Sequence, residues 1–388
     1  MAQTTTTRRI AISAIAVTGL ISGCSSTTQG SGTLGRPGAP TSGSASTPHL
    51  DKKWQRRVGG GPGSNTQLTG GSADAARIYI NDVSGDVYAL AASSGAVQWH
   101  ARPGTRTGSA VSVEGGVVLY YDSNFHTAAL DPATGRVLWS RQNSDSGAID
   151  VYHPAYANGV LVLNDNGDLR GVAVRSGRTR WTLSRDKYNT SSSQAASDDS
   201  MLYAVVGMIG RRKRVLLALE PATGKVGWTY PVPDQDIYTS YFVRSAHGLV
   251  LLLAKGSNSE APTTVTALDA RTHVKRWSST VADISPDIYT PAQIGHTLVY
   301  PTLKGLRGIS LKDGSTLFTT KVEGSGVTKI GSCGGLACAV GLENLVVIGA
   351  DGKQLAATKT PGGDPDYPIL FGAGKTYLYS SSTVYALG

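Results

Sequence analysis

Six tryptophans stand at positions 54, 99, 139, 181, 228 and 277, separated by 45, 40, 42, 47 and 49 residues. A regular period of that length means a propeller or a solenoid, because each unit is one small element that cannot bury its own apolar face. The sequence around the tryptophans repeats as well. ALDPATGRVLW, Ala129 to Trp139, returns as ALEPATGKVGW at Ala218 to Trp228 and as ALDARTHVKRW at Ala267 to Trp277. Continued at the same period, the equivalent positions fall on Phe318 and Leu355.

Each unit reads as four short strands. In the second these are TGSAVSV, GGVVLYYDS, FHTAALDPA and GRVLWSRQ, from Thr107 to Gln142. Gly115-Gly116 parts the first two, and Pro132 with Gly135 brackets a tight turn between the last two. Charged residues make up only 16% of the chain and there are 48 glycines, which fits short strands and tight turns. No long apolar stripe of period 3.6 is visible, so the mature protein is expected to be all-β.

The ends of the chain point to a closed ring. The last unit supplies YPILFGAG, KTYLYSSS and STVYALG and stops at Gly388, one strand short. The missing strand type, tryptophan included, lies at the other end as DKKWQRRV, Asp51 to Val58. The N-terminal strand therefore completes the C-terminal blade, which removes the open edges of a linear array. Counting Trp99, Trp139, Trp181, Trp228, Trp277, Phe318, Leu355 and the closing Trp54 gives an eight-bladed β-propeller over residues 50–388.

The pattern Ala-x-Asp-x-x-Thr-Gly-x-x-x-Trp resembles the tryptophan-docking repeat of the pyrroloquinoline-quinone-type propellers. Ala129, Asp131, Thr134, Gly135 and Trp139 match it fully; Ala218, Glu220, Thr223, Gly224 and Trp228 match with Glu for Asp. The likeness fades in blades six and seven, where the turn becomes Asp313-Gly314 and Asp351-Gly352. The tryptophans, Trp54 to Trp277, are expected to be structural: each covers apolar area between blades, and its N–H needs one partner there.

Residues 1–23 read as an export signal, with Arg8 and Arg9 ahead of an apolar run, Ile10 to Leu20, that is too short to span a bilayer. Ile21-Ser22-Gly23-Cys24 resembles the lipobox of bacterial lipoproteins, which implies cleavage before Cys24 and acylation there. Residues 24–49, rich in Ser, Thr, Gly and Pro, cannot bury enough surface to fold and are expected to form a tether. The formal charge is +9; loss of residues 1–23 removes Arg8, Arg9 and no acid, leaving +7. That balance favours anionic lipid or an acidic partner, and an exported lipoprotein gives no reason to expect nucleic acid. Cys333 and Cys338 in GSCGGLAC are expected to pair as a disulfide outside the cytoplasm.

Catalytic signatures are missing. There is no complete phosphate-binding loop, no His-Glu-x-x-His and no nucleophile elbow, and the seven histidines are scattered. Quinoprotein dehydrogenases share the repeat, but the resemblance would ask for a vicinal Cys-Cys pair and a calcium-binding set that the chain lacks. No catalytic residue, metal or cofactor is therefore assigned.

A second repeat is Asp150-Val-Tyr152, Asp186-Lys-Tyr188, Asp236-Ile-Tyr238 and Asp287-Ile-Tyr289, with Asp366-Tyr367 as a shortened version. All fall where the outermost strand of one blade hands over to the innermost strand of the next. Either each Asp caps a turn while each Tyr packs, or together they form a recognition surface. The run Arg211-Arg212-Lys213-Arg214 is expected on the same face, as a solvated loop or a patch for an acidic partner.

With lipobox, tether and eight docked blades, the chain is similar to the propeller lipoprotein family of the outer-membrane β-barrel assembly machinery. The resemblance implies a non-catalytic scaffold: a monomeric propeller, held on the extracytoplasmic side of a membrane through Cys24, with an envelope protein as partner. The competing reading is a quinone- or sugar-dependent enzyme, or a small-ligand binder at the channel mouth.

Overall fold

A computed structural model describes residues 50–59, 67–104, 110–143, 155–165, 167–189, 195–198, 200–208, 213–232, 240–255, 262–281, 291–302, 305–322, 327–333, 335–341, 344–360, 369–372 and 375–388. Among them every regular element is a strand, and the strands form eight antiparallel sheets of the propeller type. Blades 1 to 3 run Leu68–Ala101, Ala110–Gln142 and Tyr156–Leu183. Blades 4 to 7 run Tyr188–Pro231, Ser240–Val281, Ala292–Lys321 and Val327–Lys359. Blade 8 takes three strands from Ile369–Leu387 and its outermost strand from Lys52–Arg57. There Trp54 pairs with Ala386 and Arg57 with Thr383, as expected from the two chain ends.

The repeated motif has a physical role at every position. Each tryptophan lies over the turn between the third and fourth strands of the next blade. Its indole N–H donates to a backbone carbonyl there: Trp54 to Ala92 (3.2 Å), Trp99 to Pro132 (2.9 Å), Trp139 to Val174 (2.7 Å), Trp181 to Pro221 (2.8 Å) and Trp277 to Leu311 (2.9 Å). Under five of the six rings sits a left-handed glycine: Gly95, Gly135, Gly177, Gly224 and Gly314, with φ between 68 and 75°. A Cβ there would stand 2.5–2.7 Å from the indole. Asp131 closes the turn by accepting from the Ala133 and Thr134 N–H groups and the Thr134 hydroxyl, which together hold its carboxyl below the usual range. Asp269 does the same for Arg271 and Thr272 and is lowered to about 2, chiefly by the Thr272 N–H.

The motif's first alanine makes room. In seven blades the docking residue faces a small one across the sheet: Ala89 faces Trp99, Ala129 Trp139, Gly171 Trp181, Ala218 Trp228, Ala267 Trp277, Gly308 Phe318 and Ala386 Trp54. A bulge lies beside each of these pairs. Bulges bend the strand and re-aim the side chain, here toward the neighbouring blade.

Three blades depart from the pattern. Trp228 stacks on His273, whose ring centroid is 4.6 Å away and which takes the glycine's left-handed place at φ 64°. Phe318 docks over Gly352 at φ 81°, so the fading sixth and seventh units keep the same geometry. In the seventh blade the register corrects the sequence reading. The docking position beside the bulge is Ala356, facing Val347, and Leu355 is the neighbouring residue, 37% exposed. Blade 8 offers no such turn to dock on, because its third and fourth strands are not consecutive in the chain: Gly388 and Asp51 meet between them, with the Gly388 N–H donating to the Asp51 carbonyl (3.2 Å). A small residue suffices where no turn waits for an indole.

The clusters of buried apolar residues lie between blades. One joins Val87, Ala89 and Trp99 of blade 1 to Val118, Tyr120 and Leu130 of blade 2. The closing cluster joins Tyr377, Val384 and Ala386 of blade 8 to Ile78, Ile80 and Leu90 of blade 1. Cys333 and Cys338 form a disulfide that staples the first hairpin of blade 7.

Two glycines isolate the docking contribution. Gly159 is left-handed (φ 77°) with nothing within 4 Å of a Cβ, whereas a Cβ at Gly177 would meet the Trp139 ring at 2.7 Å. Gly159→Ala should cost about 1 kcal/mol for backbone strain alone. Gly177→Ala adds the steric cost and should lose about 3 kcal/mol in urea unfolding.

Candidate interaction face

Strand direction sorts the connections onto two faces. The docking turns and the hairpins joining the first two strands share one face, and the chain enters there at Leu50 and Asp51. The hairpins joining the second and third strands share the other face with the blade-to-blade connections. Lys213 and Arg214 belong to this second face, as does Asp186, where the Arg-rich run and the Asp-x-Tyr repeat were expected.

Asp186 is exposed; its carboxylate accepts from the Ser184 hydroxyl at 3.0 Å. Tyr188 is 6% exposed and packs in the cluster between blades 3 and 4, with the Lys187 ammonium 5.2 Å from its ring centre. Lys213 is exposed and Arg214 half-buried. Asp150, Tyr152, Asp236, Tyr238, Asp287, Tyr289, Arg211 and Arg212 lie outside the described residues, as does Cys24.

A further set of charges stands on the same face of blades 1 to 3. Asp82, Asp122 and Asp165 are 2%, 7% and 6% exposed at their hairpins. Asp82 accepts from the N–H groups of Ser84 (2.9 Å) and Asp86 (3.0 Å), and Asp122 from those of Asn124 and His126 (both 3.0 Å). These are side-chain-capped turns, which the short polar side chain of Asp favours. Guanidiniums answer the carboxylates. Arg102 grips Asp86 with two bonds (3.1 and 2.8 Å), His100 reaches the same carboxylate at 2.9 Å, and Arg170 reaches Asp165 at 2.6 Å. Tyr88, stacked on His100, is pushed up to about 12 by burial and then by the nearby Asp82 and Asp86. Arg141 is lowered by burial and then by its neighbour Arg170. The sequence reading missed this row. Its trace is Asn81-Asp82 with Asp86 and Asn164-Asp165 with Asp168, two Asn-Asp hairpins one blade apart from Asp122.

The opposite end of the inner strands holds one unusual acid. Glu114 ends the first strand of blade 2, beside the Gly115 turn against which the Tyr156 ring of blade 3 packs. Burial pushes its carboxyl up to about 7. Among the described residues no group of three or more His, Cys, Asp or Glu side chains is placed to hold a metal ion.

The molecule is thus a closed, eight-bladed, tryptophan-docked propeller with a charged face opposite the point of chain entry. A family model described as outer membrane protein assembly factor BamB matches residues 45–207 and 165–386. The chain belongs to that family. It is 31% identical over 122 residues to the BamB of Yersinia pestis, covering 30% of this chain and 31% of that one. It is 25% identical over 266 residues to the BamB of Moranella endobia (strain PCIT), covering 66% and 65%. The chain therefore spans about a third and just under two thirds of the lengths of these curated relatives. The crystal structure of BamB from Moraxella catarrhalis superposes with a TM-score of 0.62 at 14% identity, over 87% of this chain and 97% of that one. The quinohemoprotein alcohol dehydrogenase of Comamonas testosteroni superposes at 0.59 with 12% identity, over 87% and 76%. At such identities the structural likeness is one of fold alone, and the fold serves both assembly factors and enzymes.

Glu114 gives a pH signature. Its folded value lies above the ordinary 4.5, so its contribution is fully present below that pH and is lost as pH rises toward about 7. Glu114→Gln should leave stability unchanged near pH 4 and raise it at pH 8 by on the order of 1–2 kcal/mol, measured by thermal unfolding at the two pH values.

Proposed function

We propose that the chain is a non-catalytic, extracytoplasmic adaptor of the cell envelope, anchored through Cys24, that holds a partner protein on the face opposite its tether. The observation that carries this reading is the separation of the two faces. The described chain enters the wheel at Leu50 and Asp51 on the docking-turn face, while Asp186, Lys213 and the buried aspartates of blades 1 to 3 stand on the other. Membership of the BamB family supports it, since the relatives' names place them in outer-membrane protein assembly. The Asp-x-Tyr repeat and Arg211 to Arg214 are the side chains proposed to meet the partner: phenol rings give apolar area with a polar tip, and guanidiniums pair with carboxylates. An acidic envelope protein fits such a surface and the chain's net positive charge.

The test is photo-crosslinking in cells from Arg212, Tyr238 and Tyr289, with Arg136 and Lys225 on the docking-turn face as controls. The expected result is one envelope protein captured from all three test positions and from neither control. Its capture should weaken when Arg211, Arg212, Lys213 and Arg214 are all replaced by Gln. Equal capture from both faces, or no protein adduct from a normally anchored chain, contradicts the adaptor reading. The second outcome would turn attention to a small ligand at the channel mouth.

A further inference from the structure

The outermost strand of every blade is a sheet edge, and an edge presents a row of backbone donors and acceptors to any extended chain. Soluble proteins guard such edges with charge inside the strand, or with proline. Four outer strands here do so with a charge inside the strand: Lys53 in blade 8, Arg141 in blade 2, Arg180 in blade 3 and Arg276 in blade 5; blade 1 has His100, and blade 4 has only Pro231, at its last residue. Blades 6 and 7 do not. Thr316–Lys321 reads TLFTTK and Gln354–Lys359 reads QLAATK, each without charge or proline until its last residue.

The two strands match in a second respect. Their exposed positions carry the same strip, Leu317-Thr319-Lys321 in one and Leu355-Ala357-Lys359 in the other. Leu317 is 52% exposed and Leu355 37%. At the equivalent place the other blades have Lys53, Gln98, Leu138, Arg180, Gly227 and Arg276, of which only Leu138 is apolar and it is half-buried. Exposed valines also stand at the start of the outer strands of blades 1 and 2, Val97 and Val137, but only in blades 6 and 7 does an exposed leucine occupy the bulge of an edge with no charge or proline before its last residue. Charge is also one-sided: Lys312, Lys321, Lys353 and Lys359 lie on these two strands and their docking turns against Asp313 and Asp351.

We infer that the outer edges of blades 6 and 7 are β-augmentation sites, each taking an extended segment of a partner protein as a fifth strand. The segment's chemistry follows from the strip. It is β-prone, with an apolar side chain against Leu317 or Leu355 and a carboxylate near Lys321 or Lys359, and the backbone ladder supplies affinity with little demand on sequence. This surface is separate from the Asp-x-Tyr face, so the inference stands without that reading.

The full chain can be titrated with a fluorescent peptide of about ten residues, alternating valine and threonine with two aspartates at one end. Thr319→Lys combined with Ala357→Lys places a guard in both edges at exposed positions, and an unchanged melting curve shows that the wheel is intact. The double variant should bind at least about ten-fold more weakly. The same peptide with alternate backbone nitrogens methylated keeps its side chains and loses its donors, and should weaken by about as much on the parent protein. Gln98→Lys in blade 1 should change nothing. Replacing Arg211 to Arg214 by Gln should also leave peptide binding intact, which separates this result from failure of the adaptor face. Undiminished binding by the double variant, or equal binding of the methylated peptide, overturns the inference. So does a dimer of the chain itself that the double variant abolishes, since the edges would then serve a second copy.

Discussion

The fold rests on one contact made again and again: an aromatic ring on the outer strand of one blade, laid over the tight turn of the next. The contact works only as a set. A small residue beneath the ring makes room within its own blade, a bulge aims it, and a left-handed residue in the neighbouring turn lets the backbone approach. A carbonyl there takes the indole proton. Each blade thus depends on its successor for the burial of its largest side chain, and the dependence returns to its start when Trp54 meets Gly95. The one gap in the series, Ala356, falls where the last two strands of blade 8, far apart in sequence, share no turn to cover.

Most of this architecture can be read in the sequence, because the contact needs the same residue types at the same spacing in every blade. The period identified the repeat, and the missing strand at Gly388 matched to the extra one at Asp51 identified the closure. Phe318 was legible as a replacement for tryptophan because it keeps the aromatic surface. Position 356 was not, since a period is only accurate to a residue or so and the bulge decides which neighbour faces the next blade; Leu355 is the larger apolar residue but sits on the exposed side. His273 shows the same limit, because a histidine in a glycine's backbone conformation leaves no mark in composition.

Chemistry on the surface was harder to read than the frame. The Asp-x-Tyr repeat was visible as a pattern, yet at Tyr188 the ring is buried while Asp186 beside it is exposed, so one short motif divides between packing and display. The carboxylates at Asp82, Asp122 and Asp165 were missed, because an Asp that caps a hairpin and one that faces a partner look alike in sequence. Their burial, and the guanidiniums of Arg102 on the adjacent Asp86 and of Arg170 on Asp165, appear only in the folded blades. The unguarded edges of blades 6 and 7 show a different effect: no motif marks them, and they emerge only when eight equivalent strands are compared. A wheel made rigid by its docking contacts, with a charged face away from the point of chain entry at Leu50, suits the adaptor role proposed for it.

The central claim is that docking makes the ring a single cooperative unit. It is tested most directly by amide hydrogen exchange on the full chain carrying Trp54→Ala. If closure couples the blades, protection should fall in every blade together, in strands as distant from the substitution as Leu202–Met208 and Leu249–Lys255 of blades 4 and 5. If protection falls only in blade 8 and the adjoining strands of blade 1, the blades behave as a linear array with a frayed end, and the account is wrong.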